Sequence, residues 1–126
     1  MPASAKLFLA LGAVLAVCGV ALGAFGAHAL KARLGSEALA LWGTATQYLF
    51  WHALGVLVVA LACMQLPESA WLRAAGGLLA AGILLFSGSL YLLALGAPRA
   101  LGAVTPFGGA ALILGWAALA VAALRS

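Results

Sequence analysis

Eight side chains that hydrogen-bond strongly or can carry a proton lie within or beside otherwise apolar stretches: His28, Gln47, Tyr48, His52, Ser87, Ser89, Tyr91 and Thr105. Tyr48 and His52 are four residues apart, as are Ser87 and Tyr91, so on a helix each pair shares a face. Two such faces turned toward each other would form a small polar pocket, suited to a small polar molecule, a lipid headgroup or an ion. His52 beside Ser87 or Tyr91 also suggests acid-base or nucleophilic chemistry. Asp is absent, however, and Glu37 and Glu68 lie outside the apolar stretches, so no carboxylate is placed to orient the imidazole. No catalytic residue is assigned on this basis. A metal site is not assigned either, because pairing His28 with His52 lacks carboxylates and no Cys or His pair has a zinc-site spacing. Nothing identifies a cofactor.

The elements that must hold these groups are membrane spans. Hydrophobic residues make up 67% of the 126 residues and charged residues 6%, with a mean hydropathy of +1.25, far outside the range of soluble globular chains. A spanning helix needs about 20 apolar residues to cross roughly 30 Å of hydrocarbon, where no unpaired backbone group finds a partner. Such stretches run from about Leu7 to Ala27, Gln47 to Leu66, Leu72 to Leu95 and Pro106 to Leu124. Pro67-Glu68-Ser69 and Gly96-Ala97-Pro98-Arg99 break the chain between the later spans. These short connections make neighbours antiparallel. The expected fold is an all-α integral membrane protein, a single domain of four transmembrane helices in an up-down-up-down bundle.

Residues 31–46 mix Lys31, Arg33 and Glu37 with Leu34, Leu39, Leu41 and Trp42. This pattern predicts a short interfacial helix between helices 1 and 2, capped by Ser36, with Trp42 at headgroup level and an end that could run straight into the second span. Thr105-Pro106 reads as an N-cap followed by proline at the first helical position.

Threading the spans through a bilayer gathers all eight polar residues in the leaflet that faces the first and third connections. At a rise of about 1.5 Å per residue, His52 lies roughly 8 Å beyond Gln47, and Ser87 roughly 12 Å short of Leu95. An ionisable group at such depth is a functional candidate by default. The plain alternative is interhelical hydrogen bonding, with Tyr48, Trp51, Trp71 and Tyr91 as interface anchors.

The net charge of +4 comes from Lys6, Lys31, Arg33, Arg73, Arg99 and Arg125 against two glutamates. These cations are scattered singly at predicted helix ends, which suits anionic headgroups and excludes the clustered face of a nucleic-acid binder. They divide three and three between the two sides, so charge gives no orientation. Lys6, the first apolar run and Ala27-His28-Ala29 imitate a cleavable signal, but the run exceeds the usual apolar core of about 7 to 15 residues, so an uncleaved span is expected. Cys18 and Cys63 are expected to pack as small apolar groups. Gly19-x-x-x-Gly23, Gly76-x-x-x-Ala80, Gly77-x-x-x-Ala81 and Ala111-x-x-x-Gly115 are packing seams for a helix of this chain or of another subunit.

Four motifs in order carry a resemblance: Gly23-Ala24-Phe25-Gly26-Ala27-His28-Ala29-Leu30, Trp42-x-Thr44-Ala45-x-Gln47-Tyr48 with His52-Ala53-Leu54, Leu85-Phe86-Ser87-Gly88-Ser89-Leu90-Tyr91, and Thr105-Pro106-x-Gly108-Gly109. Together they resemble the domain of unknown function 423 family (UPF0382), small bacterial inner-membrane proteins similar to eukaryotic transmembrane protein 256. The resemblance implies a four-helix protein of the bacterial inner (plasma) membrane, and it assigns no activity and no residue role. Two functions compete. The first is a binding or transport-like module built on the polar cluster. The alternative is a structural or accessory subunit of a homo-oligomer or larger membrane complex, meeting partners through glycine-rich helix faces. An intramembrane enzyme ranks third, and proton-coupled efflux lacks the membrane carboxylate it usually needs. Membrane lipids are the expected surroundings, and no nucleic acid is expected.

Overall fold

A computed structural model describes residues Met1–Ser126. It contains four long helices, α1 (Ala3–His28), α2 (Ser36–Gln65), α3 (Ala70–Ala94) and α4 (Thr105–Leu124), with a 3-10 turn at Arg99–Ala103 before α4. All four are long and apolar enough to cross a membrane. Hydropathy locates the part of each helix that suits lipid, and the helices run somewhat further because backbone hydrogen bonding does not stop at the hydrocarbon edge.

The extension is greatest in α2. Its 30 residues make a rod of roughly 45 Å, about 15 Å longer than the hydrocarbon is thick. The amphipathic segment expected before the second span is therefore, from Ser36 onward, the opening turns of α2 itself. Gly35 occupies its N-cap position and no side chain caps it, so Ser36 does not play the capping role expected of it. Glu37 in the first turn complements the positive end of the helix dipole.

Ser69 caps α3, its hydroxyl accepting the Leu72 N–H at 3.2 Å. Gly96, at φ +98°, ends the same helix. It lets Ala97 N–H reach the Leu92 carbonyl at 2.9 Å and Gly96 N–H the Leu93 carbonyl at 3.1 Å, a closing pattern that needs the left-handed conformation. The start of α4 differs from expectation. Val104 is already helical and its carbonyl accepts from Phe107 and Gly108, so Thr105 is the first helical residue rather than a cap, and its hydroxyl is free to turn toward α3.

Each helix packs antiparallel on the next, with α2 and α3 as the inner pair. In their most apolar stretches 44% and 39% of residues are buried, against 17% in α1 and 28% in α4. One apolar core draws on all four helices, through Phe8, Val56, Val59, Leu72, Leu79 and Leu112. A smaller one joins Leu30, Trp42 and Ala94 at the connection side. Lipid is as apolar as leucine, so close packing rather than water exclusion holds such helices together. Large residues accordingly dock on glycines: Phe8 on Gly76, Trp42 on Gly26, Phe50 on Gly19, Leu79 on Gly115 and Trp116 on Gly55. At Gly108 a β-carbon would strike the Phe86 backbone, so α3 and α4 touch main chain to main chain. The seams at Gly19, Gly76 and Gly115 thus face helices of the same chain, and Gly77 meets nothing in it.

Candidate functional site

The N-terminal half of α2 carries most of the site, because its side chains and carbonyls reach α1 and α3 in turn, and His52 just beyond reaches α4. Trp42 is 6% exposed and its indole N–H donates to the Leu22 carbonyl of α1 at 2.9 Å. A β-carbon on Gly26 would stand 2.6 Å from that indole nitrogen, so the bond requires glycine there. One turn on, Thr46 donates to the Trp42 carbonyl at 3.0 Å and lies 2.8 Å from the Tyr91 hydroxyl. A threonine hydroxyl has one hydrogen, already committed to Trp42, so Tyr91 must be the donor. The Tyr91 ring also packs on Trp42, centroids 4.4 Å apart.

Deeper in, Ser87 is buried and donates to the Ala45 carbonyl at 2.7 Å. Ser89 donates to the Phe86 carbonyl at 3.0 Å, which leaves Thr105 as donor in the Ser89–Thr105 bond that ties α4 to α3. His52 is buried too, with Nδ1 2.7 Å from the Tyr48 carbonyl. Its ring stacks on Tyr48 at 14° and meets Trp116 at 58°.

The eight residues singled out by sequence therefore fall into separate groups. Tyr91 pairs with Thr46, Ser87 with a backbone carbonyl, Ser89 with Thr105, and His52 with Tyr48. Tyr48 and His52 do not face Ser87 and Tyr91 across a polar pocket; Phe86 occupies that ground, its ring 4.5 Å from Tyr48. His28 is exposed at the end of α1. Gly26 lies level with Trp42, and Gly12 with Leu57, which places His28 near residue 40 of α2 and about 18 Å along the axis from His52. The two imidazoles cannot share a metal. Thr46 and the buried role of Trp42 escaped the sequence reading. Their spacing of four on one helix face was the available signal, but they fell in a segment read as interfacial.

Gln47 turns the other way. It lines a groove of about 980 Å³ between α1 and α2, in the half of the bundle nearest the first and third connections. The α1 wall is Gly19, Val20, Gly23, Ala24, Gly26 and Ala27, and the α2 wall includes Gly43, Thr44, Gln47, Phe50 and Trp51, with Lys31 at the mouth. Small residues on both helices open this groove, and Lys31 is its sole charged lining side chain. Thr44 and Gln47 are exposed, and neither side chain has a hydrogen-bond partner in the chain. The arrangement can hold an elongated molecule with a negatively charged end near Lys31, hydrogen-bonding groups by Thr44 and Gln47, and an apolar part against Val20, Phe50 and Trp51.

Residues 22–109, which include both the polar network and most of this groove, match a family model described as protein of unknown function DUF423. The UPF0382 membrane protein YwdK of Bacillus subtilis is 46% identical over 120 residues, covering 95% of this chain and 98% of the relative. UPF0382 membrane protein SERP0230 of Staphylococcus epidermidis is likewise 46% identical, covering 95% and 97%. The UPF0382 inner membrane protein YgdD of Escherichia coli K12 is 40% identical over 122 residues, covering 97% and 92%. No solved structure matches the chain. With its four spans and these relatives along nearly its whole length, the chain is a multi-pass membrane protein that belongs to the DUF423 (UPF0382) family, whose function is unknown.

Proposed function

We propose that this protein is a small binding module of the inner membrane that holds an anionic lipid in the groove between α1 and α2. The observation that carries the reading is a contrast in hydrogen bonding: the hydroxyls of Thr46, Ser87, Ser89, Tyr91 and Thr105 are paired, whereas Thr44 and Gln47 line the groove without partners. Lys31 supplies the charge complement at the headgroup end. From Ala27 to Gly19 the α1 wall descends eight residues, about 12 Å, enough for a headgroup, its glycerol and the upper part of an acyl chain.

The test is native mass spectrometry of protein extracted gently from its own membrane, wild type beside Gly43→Leu. Gly43 lines the groove, and a β-carbon there meets nothing in the chain, so leucine fills the space without disturbing the bundle. The expected result is a phospholipid mass on the wild type that is lost in Gly43→Leu and weakened in Lys31→Ala. Equal lipid occupancy in wild type and Gly43→Leu overturns the reading. A second reading, an accessory or self-associating subunit, draws support from Gly43, Gly77 and Gly88, which have open space outside the chain. A stoichiometric protein mass displaced by Gly43→Leu, with no lipid, would favour it.

A further inference from the structure

His52 lies five residues past Gln47, where the apolar stretch begins, and thirteen before Gln65, so roughly 8 Å inside one hydrocarbon edge and about 20 Å from the far end of α2 at about 1.5 Å per residue. Only 7% of it is exposed. The Tyr48 carbonyl, 2.7 Å from Nδ1, can only accept, so Nδ1 carries a ring hydrogen, and in the neutral tautomer this leaves the lone pair on Nε2. No donor in the chain reaches Nε2. The one side-chain nitrogen or oxygen sealed in without a partner is Ser4 Oγ, so Nε2 is unpaired and not completely sealed. The imidazole lies beside Trp116 of α4, ring centroids 5.7 Å apart, and the Trp116 N–H has no partner in the chain.

We propose that Nε2 of His52 is the hydrogen-bond acceptor of a second site, within the hydrocarbon, whose ligand is a lipophilic phenol or quinol. At roughly 8 Å below the hydrocarbon edge, Nε2 suits a ligand that resides in the hydrocarbon and brings its own donor. A hydroxyl meets that requirement, and its oxygen can in turn accept from an N–H. The walls favour a flat ring: Tyr48 stacks on one side of the imidazole, Trp116 tilts over it, and Trp51, itself against Tyr48, is 53% exposed. An aliphatic alcohol would satisfy Nε2 and leave those faces unused. This site borders the α1–α2 groove at Trp51, but its acceptor, His52, does not line the groove, and neither proposal requires the other.

The decisive measurement is nitrogen NMR of His28→Gln protein in lipid nanodiscs, labelled with 15N-histidine so that only His52 reports. The probe is 2-methyl-1,4-naphthohydroquinone kept reduced, against its dimethyl ether, which has the same ring and no donor. The expected outcome is a bare Nε2 and a protonated Nδ1 at rest, with a saturable shift of Nε2 toward the hydrogen-bonded position for the hydroquinone alone. Trp116→Leu should weaken that titration by roughly 2- to 10-fold, the scale of one aromatic contact. An Nε2 that is protonated or already hydrogen-bonded at rest overturns the proposal, as does equal response to the ether or no response to either compound. Unchanged affinity in Trp116→Leu removes the aromatic wall from it.

Discussion

On the side of α2 that meets α3, Thr46 is bonded to Tyr91 and the Ala45 carbonyl to Ser87. On the side that borders the groove, one or two residues away along the same turn, Thr44 and Gln47 have no partner and small residues leave the space open. Both faces are polar and lie in the same half of the bundle, so polarity and depth alone do not separate scaffold from site. What separates them is whether each donor and acceptor is satisfied. Thr44 and Gln47 sit where α2 enters the hydrocarbon, facing open space rather than a partner in the chain, which makes them the better pointer to a ligand.

The sharpest way to break the contrast is at the glycine that allows Trp42 to reach α1. Gly26→Val should cost about 2 to 3 kcal/mol by overpacking, since its β-carbon would stand 2.5 Å from Trp42 Cδ1. Reversible unfolding in mixed micelles, compared with Gly43→Val as the open-face control, measures it. A loss of equal size in both would mean that the two glycines do not differ in the way described. Next in size is Thr46→Val, which strands the Tyr91 hydroxyl and removes the bond to the Trp42 carbonyl. A loss of about 1 to 2 kcal/mol is expected; a stable variant would show that the inner face is not held by this hydroxyl.

The Ser89–Thr105 bond is a smaller contribution. A double-mutant cycle of Ser89→Ala and Thr105→Val should return a coupling of about 0.6 kcal/mol, the average for such bonds in membranes, and additive losses would argue that the pair is incidental. Smallest in stability, and most telling for function, is Gln47→Leu. Its unfolding free energy should stay within about 0.5 kcal/mol of the wild type, while lipid retained through purification falls. A stability loss as large as that of Thr46→Val would place Gln47 with the scaffold instead.

The spans at 7–27, 72–95 and 106–124 read from hydropathy match α1, α3 and α4 to within a few residues at each end. Only the start of the second, set at Gln47 against Ser36 in the structure, moved by three turns, because charged residues end a hydropathy run without ending a helix. That shift concealed Trp42 and Thr46, which proved to be as much part of the polar network as Ser87 and Tyr91. Thr105 shows a related limit. Thr-Pro suits an N-cap, yet the 3-10 turn delivers a helical backbone at Val104, and the hydroxyl bonds across to Ser89 instead.

Composition and hydropathy by themselves determined that this chain crosses a membrane four times and that its polar side chains collect toward one side, because transfer into hydrocarbon depends on residue type and position along the axis. The partner of each polar group was decided only by tertiary structure. These helices are apolar almost all round, so no polar stripe announces their rotation. The fit of Trp42 on Gly26, Phe8 on Gly76 and Trp116 on Gly55 sets it instead, turning Thr46 and Ser87 inward and leaving Gln47 to face the groove.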